Sequence, residues 1–274
     1  MMEILKSIIL GIVQGITEWL PISSTGHMLL VDELMKLQVF DDVLMNTSFV
    51  NMYMVVIQFG SILAVCLLYF NKLNPFSSIK SVSEKRETLN LWGKVIIGVI
   101  PAGIIGVLFD DYIDAYLHGP VVIAIMLIVY GVLFIIIESQ QRHSKITSFE
   151  KMTPFTAFLI GCFQVLALIP GTSRSGATIL GAVLLGTSRT VAAEFSFFLA
   201  VPVMAGASLL KILKMDVVMS GLAWAVLLTG MLVAFVVSVI AIKFLMGYIR
   251  KHDFKAFGVY RIVLGLLVLI SIFL

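Results

Sequence analysis

The chain has 274 residues, of which 60% are hydrophobic and only 13% charged, and its mean hydropathy is +1.08. So few polar residues cannot cover a soluble globule, which excludes a water-soluble fold and places the chain in a bilayer. The net charge of +3 falls mostly in short loops between apolar runs, which speaks for membrane topology rather than nucleic-acid binding.

The N-terminal segment, 4 to 20, is apolar but carries Gln14, Thr17 and Glu18, and no small-x-small cleavage site follows, so it reads as mature protein rather than a cleaved signal. Pro21 stops it, and a second short segment, 25 to 37, ends at Asp32 and Glu33. Three stretches of spanning length follow, 50 to 70, 92 to 110 and 119 to 138, with a solvated connector expected at 71 to 91. The sequence then repeats itself, with short segments at 154 to 169, stopped by Pro170, and 174 to 187, and spans at 190 to 213, 218 to 246 and 256 to 274. The short pieces reach only about 18 to 26 Å at about 1.5 Å per residue, against a hydrocarbon core of roughly 30 Å. Two hairpins that enter and return on one side fit them better than four spans. Pro101 and Pro202 are expected to kink their helices. Cys66 and Cys162 lie apart in apolar segments and imply neither a disulfide framework nor a zinc site.

Gly11, Gln14, Ser23 and Gly26 recur 150 residues later as Gly161, Gln164, Ser173 and Gly176. The predicted fold is therefore an all-α integral membrane protein, a single membrane domain with six transmembrane helices and two re-entrant helical hairpins. Its first repeat is 1–140, with a hairpin at 4–37, and its second is 150–274, with a hairpin at 154–187. A hairpin and three spans per repeat turn the second repeat upside down relative to the first, with both hairpin tips facing inward. Charge supports this plan. Lys72, Lys80, Lys85, Arg86, Arg142, Lys145, Lys151, Arg189, Arg250, Lys251 and Lys255 fall on one side. Lys6, Lys36, Lys211 and Lys214 fall on the other, with the acidic groups Asp32, Glu33, Asp41, Asp42 and Asp110, Asp111, Asp114. Both termini are then expected outside.

Polar residues at membrane depth are few enough to weigh one by one. Gly11, Gln14, Gly15 and Glu18 share one stripe of the first helix, where the glycines admit another backbone. A carboxylate at this depth costs roughly 2.5 to 3.5 kcal/mol, so Glu18, which forms a polar patch with Gln14, points to metal ligation or to proton transfer. A packing hydrogen bond is its plainer role. Ser23, Ser24, Thr25 and Gly26 bring hydroxyls and free N–H groups to a positive helix end that suits phosphate oxygens, although N-capping alone would account for such residues. His27, one turn on, can act as base, nucleophile or leaving-group acid. In the second copy Thr172, Ser173 and Ser175 surround Arg174, whose planar fork suits phosphate. An Arg174–Glu18 ion pair joining the repeats is the plainer reading. The copies differ at these positions, since Leu168 and Ala177 stand where the first has Glu18 and His27, and Ser24 stands opposite Arg174. One arginine and one histidine cannot neutralise a diphosphate, so a divalent cation, Mg²⁺ or Ca²⁺, is expected near Glu18. Glu194 and Gln58 are candidates for the border of the cavity, with helix-end or packing roles as the alternative.

The motifs G-I-V-Q-G-I-T-E-W-L-P-I-S-S-T-G-H at 11 to 27, I-P-G-T-S-R-S-G-A-T at 169 to 178 and A-E-F-S-F-F-L-A-V-P at 193 to 202 resemble the bacterial undecaprenyl-diphosphate phosphatase family linked to bacitracin resistance, and the resemblance runs nearly end to end. It implies an enzyme of the bacterial cytoplasmic membrane, opening to the outer face, that removes the terminal phosphate of undecaprenyl diphosphate and returns the lipid carrier to cell-wall synthesis. It assigns the acidic-motif glutamate to Glu18, the site serine and histidine to Ser24 and His27, and the phosphate-clamping arginine to Arg174. Some members have a second glutamate where this chain has Gln14, which can still offer an oxygen to a metal but carries no charge. The nucleophile stays open among Ser24, His27 and water.

The rival class is a lipid flippase or secondary transporter, which shares inverted repeats and broken helices. A carrier has no need of a hydroxyl, imidazole, carboxylate and guanidinium gathered at two tips. Type-2 phosphatidic-acid phosphatases share a serine-glycine-histidine theme, but no K-x6-R-P element occurs. The expected partners are a polyprenyl diphosphate lipid and membrane lipids, and the oligomeric state, a homodimer included, is left open.

Overall fold

The computed structural model describes residues 1–117, 119–140, 143–215 and 218–273. Arg142 and Leu274, which enter the charge count and the last expected span, lie outside the described residues, as do the side chains of Asp110, Asp111 and Asp114. The fold is all-helical. In chain order the helices are α1 Met2–Thr17, α2 Ser24–Met35, α3 Val43–Leu68, α4 Phe70–Leu73, α5 Val82–Leu117, α6 Pro120–Ser139, α7 Pro154–Val165 with a 3-10 turn Leu166–Leu168, α8 Arg174–Leu184, α9 Arg189–Leu213, α10 Gly221–Ile249 and α11 Lys255–Phe273. Six of them, α3, α5, α6, α9, α10 and α11, are long and apolar enough to cross a membrane.

Local chemistry sets the boundaries. The Asp42 carboxylate caps α3 by accepting from the Met45 N–H at 2.8 Å, so that helix starts before the expected 50. The stretch 82 to 91, expected as connector, is helical. Glu84 accepts from the Ser81 N–H at 2.7 Å while Ser81 Oγ accepts from the Glu84 N–H at 3.3 Å, a reciprocal capping box that starts α5 ten residues early. Pro101 and Pro202 sit inside unbroken helices.

Small residues govern the packing. A Cβ on Gly11 or Gly15 would stand 2.8 Å from the carbonyl oxygen of Gly230 or Ala234, so the backbones of α1 and α10 lie against each other. The pairing has a mirror in the other half, where α7 lies on α5 with Gly161 against Gly98. Likewise α3 packs on α10 as α9 packs on α5, while α3 packs on α9 and α6 on α11. Each half is thus completed by helices of the other.

Ion pairs mark the two ends of α9. Near its start Glu194 holds Lys72 at 2.5 Å, which gives Glu194 a helix-end role, and Arg189 holds Glu138 at 2.5 Å. At the end that carries Lys211, Lys6 reaches Glu3 at 2.8 Å and the Lys36 carbonyl at 2.9 Å. Both cysteines are free.

Candidate active site

The turn after α1 and the turn before α8 meet in the protein interior, and Glu18 is their common point. Its Oε1 accepts from Arg174 Nη2 at 3.0 Å, and its Oε2 accepts from Gln14 Nε2 and from Ser24 Oγ, each at 2.9 Å. Glu18 and Gln14 are buried, and Arg174 is nearly so. Removing a charge from water is tolerable only with such partners. The internal ion pair and the hydrogen-bonding role of Glu18 are therefore both present, and Ser24 is drawn into the same cluster.

Each turn is built the same way. Ser23 and Ser173 adopt φ of 75° and 71°, a region that L-residues rarely occupy. Each caps its helix, Ser23 Oγ accepting from the Gly26 N–H at 3.4 Å and Ser173 Oγ from the Gly176 N–H at 3.2 Å. The strained turn aims the next residue at Glu18, Ser24 from within its own half and Arg174 from the other. It also leaves the first N–H groups of α2 and α8 without intrahelical acceptors. Ser175 is occupied structurally, since its Oγ donates to the carbonyls of Glu18 and Leu20 at 3.1 and 3.3 Å. Thr172 Oγ1 is buried without a partner, and Thr25 is exposed at the mouth of the site.

Arg174 is held on three sides. Its Nη1 donates to the Ser196 carbonyl at 2.7 Å and to Ser196 Oγ at 3.3 Å, and its guanidinium lies 5.6 Å from the centre of the buried Trp19 ring. Its Nε–H is buried without an acceptor. Among the described residues no hydrogen bond joins His27 to Ser24. Nδ1 of His27 lies 2.7 Å from the Ser23 carbonyl and Nε2 lies 2.7 Å from the Tyr260 hydroxyl.

Sequence reasoning missed three residues. Ser196 lay in plain view in the 193 to 202 motif. Tyr260 and Arg261 sit within the last apolar span, where a lone arginine is a signal in itself. The Arg261 side chain is fully buried and satisfied by backbone alone. It donates to the carbonyls of Pro21 at 3.1 Å, Gly171 at 2.8 Å and Thr172 at 2.9 Å, and lies 5.4 Å from the centre of the Tyr130 ring. One guanidinium thus staples both turns.

Next to Gln14, the amide partner of Glu18, a cavity of about 490 Å³ extends past Thr25 and Gln58 to Asp32, Asn51 and Lys211; Glu18, Ser24, His27 and Arg174 are not among the residues that line it. Gln58 borders it, donating its amide to the Met54 carbonyl at 3.3 Å. For a cation, the free oxygen is Gln14 Oε1, buried without a partner next to the Glu18 carboxylate. Among the described residues no three His, Cys, Asp or Glu side chains gather to hold an ion. A cation here would take two protein oxygens and draw its other ligands from substrate and water, as Mg²⁺ commonly does.

Fold and site together define a multi-pass membrane protein whose interior holds a carboxylate, a guanidinium and a hydroxyl in one hydrogen-bonded cluster. The model of the bacitracin resistance protein BacA family matches residues 7–267, and the chain belongs to that family. It is 58% identical to undecaprenyl-diphosphatase 1 of Clostridioides difficile (strain 630) over 274 residues, covering 100% of this chain and 98% of the relative. It is 57% identical to an undecaprenyl-diphosphatase of Desulfitobacterium hafniense (strain DSM 10664 / DCB-2) over 273 residues, and 58% identical to one of Enterococcus faecalis over 273 residues. Each of these alignments covers 98% of this chain and 96% of the relative.

Proposed function

We propose that the protein hydrolyses undecaprenyl diphosphate to undecaprenyl phosphate and inorganic phosphate, which recycles the lipid carrier and confers resistance to bacitracin. The observation that carries this reading is the Glu18 carboxylate, shared between the Ser24 hydroxyl of one half and the Arg174 guanidinium of the other. A transporter has no need of a hydroxyl aligned on that carboxylate.

The chemistry follows from who touches whom. Ser24 Oγ donates to Glu18 Oε2, so Glu18, rather than His27, is the group placed to take its proton. Ser24 then attacks the terminal phosphorus, the bond from that phosphorus to the bridging oxygen breaks, and the lipid monophosphate leaves. Water releases phosphate from the serine in a second step. Arg174 has a free Nε–H, and its grip on Glu18 can be exchanged for phosphate oxygens, which leaves the carboxylate a stronger base as substrate binds. The N–H groups that begin α2 and α8 and the Thr25 hydroxyl would take the remaining oxygens. His27 lies one turn from Ser24, and its Nε2 can hold or give a proton on the leaving-group side. A divalent cation, Mg²⁺ or Ca²⁺, held by Glu18 and Gln14, would offset part of the diphosphate charge.

In this reading α1–α2 and α7–α8 are re-entrant hairpins of two inverted repeats, 1–140 and 150–274. Support comes from their lengths of 16, 12, 12 and 11 residues and from the exchanged pairing of α1 with α10 and α7 with α5. The cavity from Gln14 to Lys211 favours a site opening on the lysine-poor face, taken as the outer face of the bacterial cytoplasmic membrane, with both termini there.

The test is phosphate release from undecaprenyl diphosphate by pure protein in detergent, where no gradient exists. Turnover by the natural chain, lost in Ser24→Ala, Glu18→Gln and Arg174→Ala, is expected. Lipid movement in vesicles without phosphate release would favour a flippase instead.

A further inference from the structure

Both ring nitrogens of His27 are engaged. A carbonyl can only accept, so Nδ1, 2.7 Å from the Ser23 oxygen, carries a proton whatever the charge of the ring. Nε2 is therefore the nitrogen that gains and loses one, and its partner is the Tyr260 hydroxyl at 2.7 Å. A phenol can donate to neutral Nε2 and accept from protonated Nε2, so the contact persists in either state. The two rings are nearly parallel, with planes 6° apart and centroids 5.6 Å apart, which pins the imidazole plane as well as its edge.

The mount is rigid. Tyr260 precedes Arg261 on α11, and Arg261 is stapled to the carbonyls of both turns. Tyr260 itself is 46% exposed, so its hydroxyl is not needed to fill or satisfy a buried core.

We infer that Tyr260 is a positioning residue for the phosphatase reaction: it aims Nε2 of His27 at the bound diphosphate and stays paired with it until a phosphate oxygen takes its place. The inference rests on the catalytic reading of His27 given above. It assigns α11 a part in the chemistry, although no residue of that helix falls within the two repeated motifs.

The experiment compares Tyr260→Phe with the natural protein in lipid nanodiscs, using undecaprenyl diphosphate as substrate. A positioning role lowers kcat roughly 10-fold, the scale at which outer partners of a reacting group act, while KM stays within about twofold. Nitrogen-15 spectra of histidine-labelled protein, with the His27 signal assigned by its absence in His27→Gln, supply a readout independent of turnover. In the neutral ring, loss of the hydroxyl should move the Nε2 resonance downfield. An unchanged kcat, or an Nε2 resonance that does not move, overturns the inference. Full turnover by His27→Gln would remove the reading of His27 on which it stands, whatever the resonance does.

Discussion

At Glu18 one carboxylate serves three partners, and this arrangement decides which substitutions matter. Ser24→Ala removes the hydroxyl and Glu18→Gln removes the proton acceptor, so each is expected to lower kcat by about 10² to 10⁴-fold in phosphate-release assays. Gln14→Glu makes a different prediction. Gln14 donates its amide to Glu18 at 2.9 Å, and a second carboxylate there repels the first unless a cation lies between them. Turnover of that variant should depend more steeply on added Mg²⁺ or Ca²⁺ than turnover of the natural chain, measured as activity against cation concentration after chelation. The identities of Glu18, Ser24 and Arg174 were legible from the sequence because polar groups are so scarce in this chain. Their pairing was not. Glu18 and Ser24 are six residues apart across a turn whose serine has φ of 75°, and no helical periodicity places them together. Ser24 pairs with Glu18 for that reason, and His27, expected as base, nucleophile or leaving-group acid, pairs with Tyr260.

Among the elements, α1 and α11 each hold part of the site. The first sits directly on α10, because Gly11 and Gly15 let the two backbones touch. Gly15→Leu must push α1 away from Ala234 and Val237, and overpacking of this kind costs about 1 to 3 kcal/mol. Since α1 also carries Gln14 and leads directly into Glu18, the variant should lose activity together with thermal stability in detergent, the two being measured on one preparation. Arg261→Lys tests α11. A single ammonium lacks the planar fork that reaches Pro21, Gly171 and Thr172 together, so buried carbonyls lose donors at about 1 to 3 kcal/mol each. Activity should fall even though the charge is kept, as phosphate release by the lysine variant would show. The six long apolar helices were readable from hydropathy. The start of α5 was not, because a capping box of Ser81 and Glu84 is a local signal inside a stretch that composition alone assigns to a loop.

On the scale of the whole molecule, apart from Glu18–Arg174 in the interior, Lys72–Glu194 and Arg189–Glu138 pair at one end and Glu3–Lys6 at the other. The proposed topology puts the first group in the cytoplasm. Single cysteines placed at Thr47 and Ser83, on a background lacking Cys66 and Cys162, should behave oppositely in intact cells: an impermeant thiol reagent labels the first directly and the second only after permeabilisation. Labelling of both from outside would contradict the arrangement. The repeat itself was visible in Gly11, Gln14, Ser23 and Gly26 and their counterparts, but the exchange of α1 onto α10 and α7 onto α5 depends on small-residue contacts between distant segments, which no local pattern reports.

The ion pair between Glu18 and Arg174 makes the two halves unequal. Were the N-terminal half to associate with a copy of itself, the carboxylate would meet Ser24 where it now meets a cation, and two C-terminal halves would set Arg174 against Leu168. Neither self-assembly restores the opposed charges. At these positions the two halves are not interchangeable, and excising either one would discard an ion that the other cannot replace.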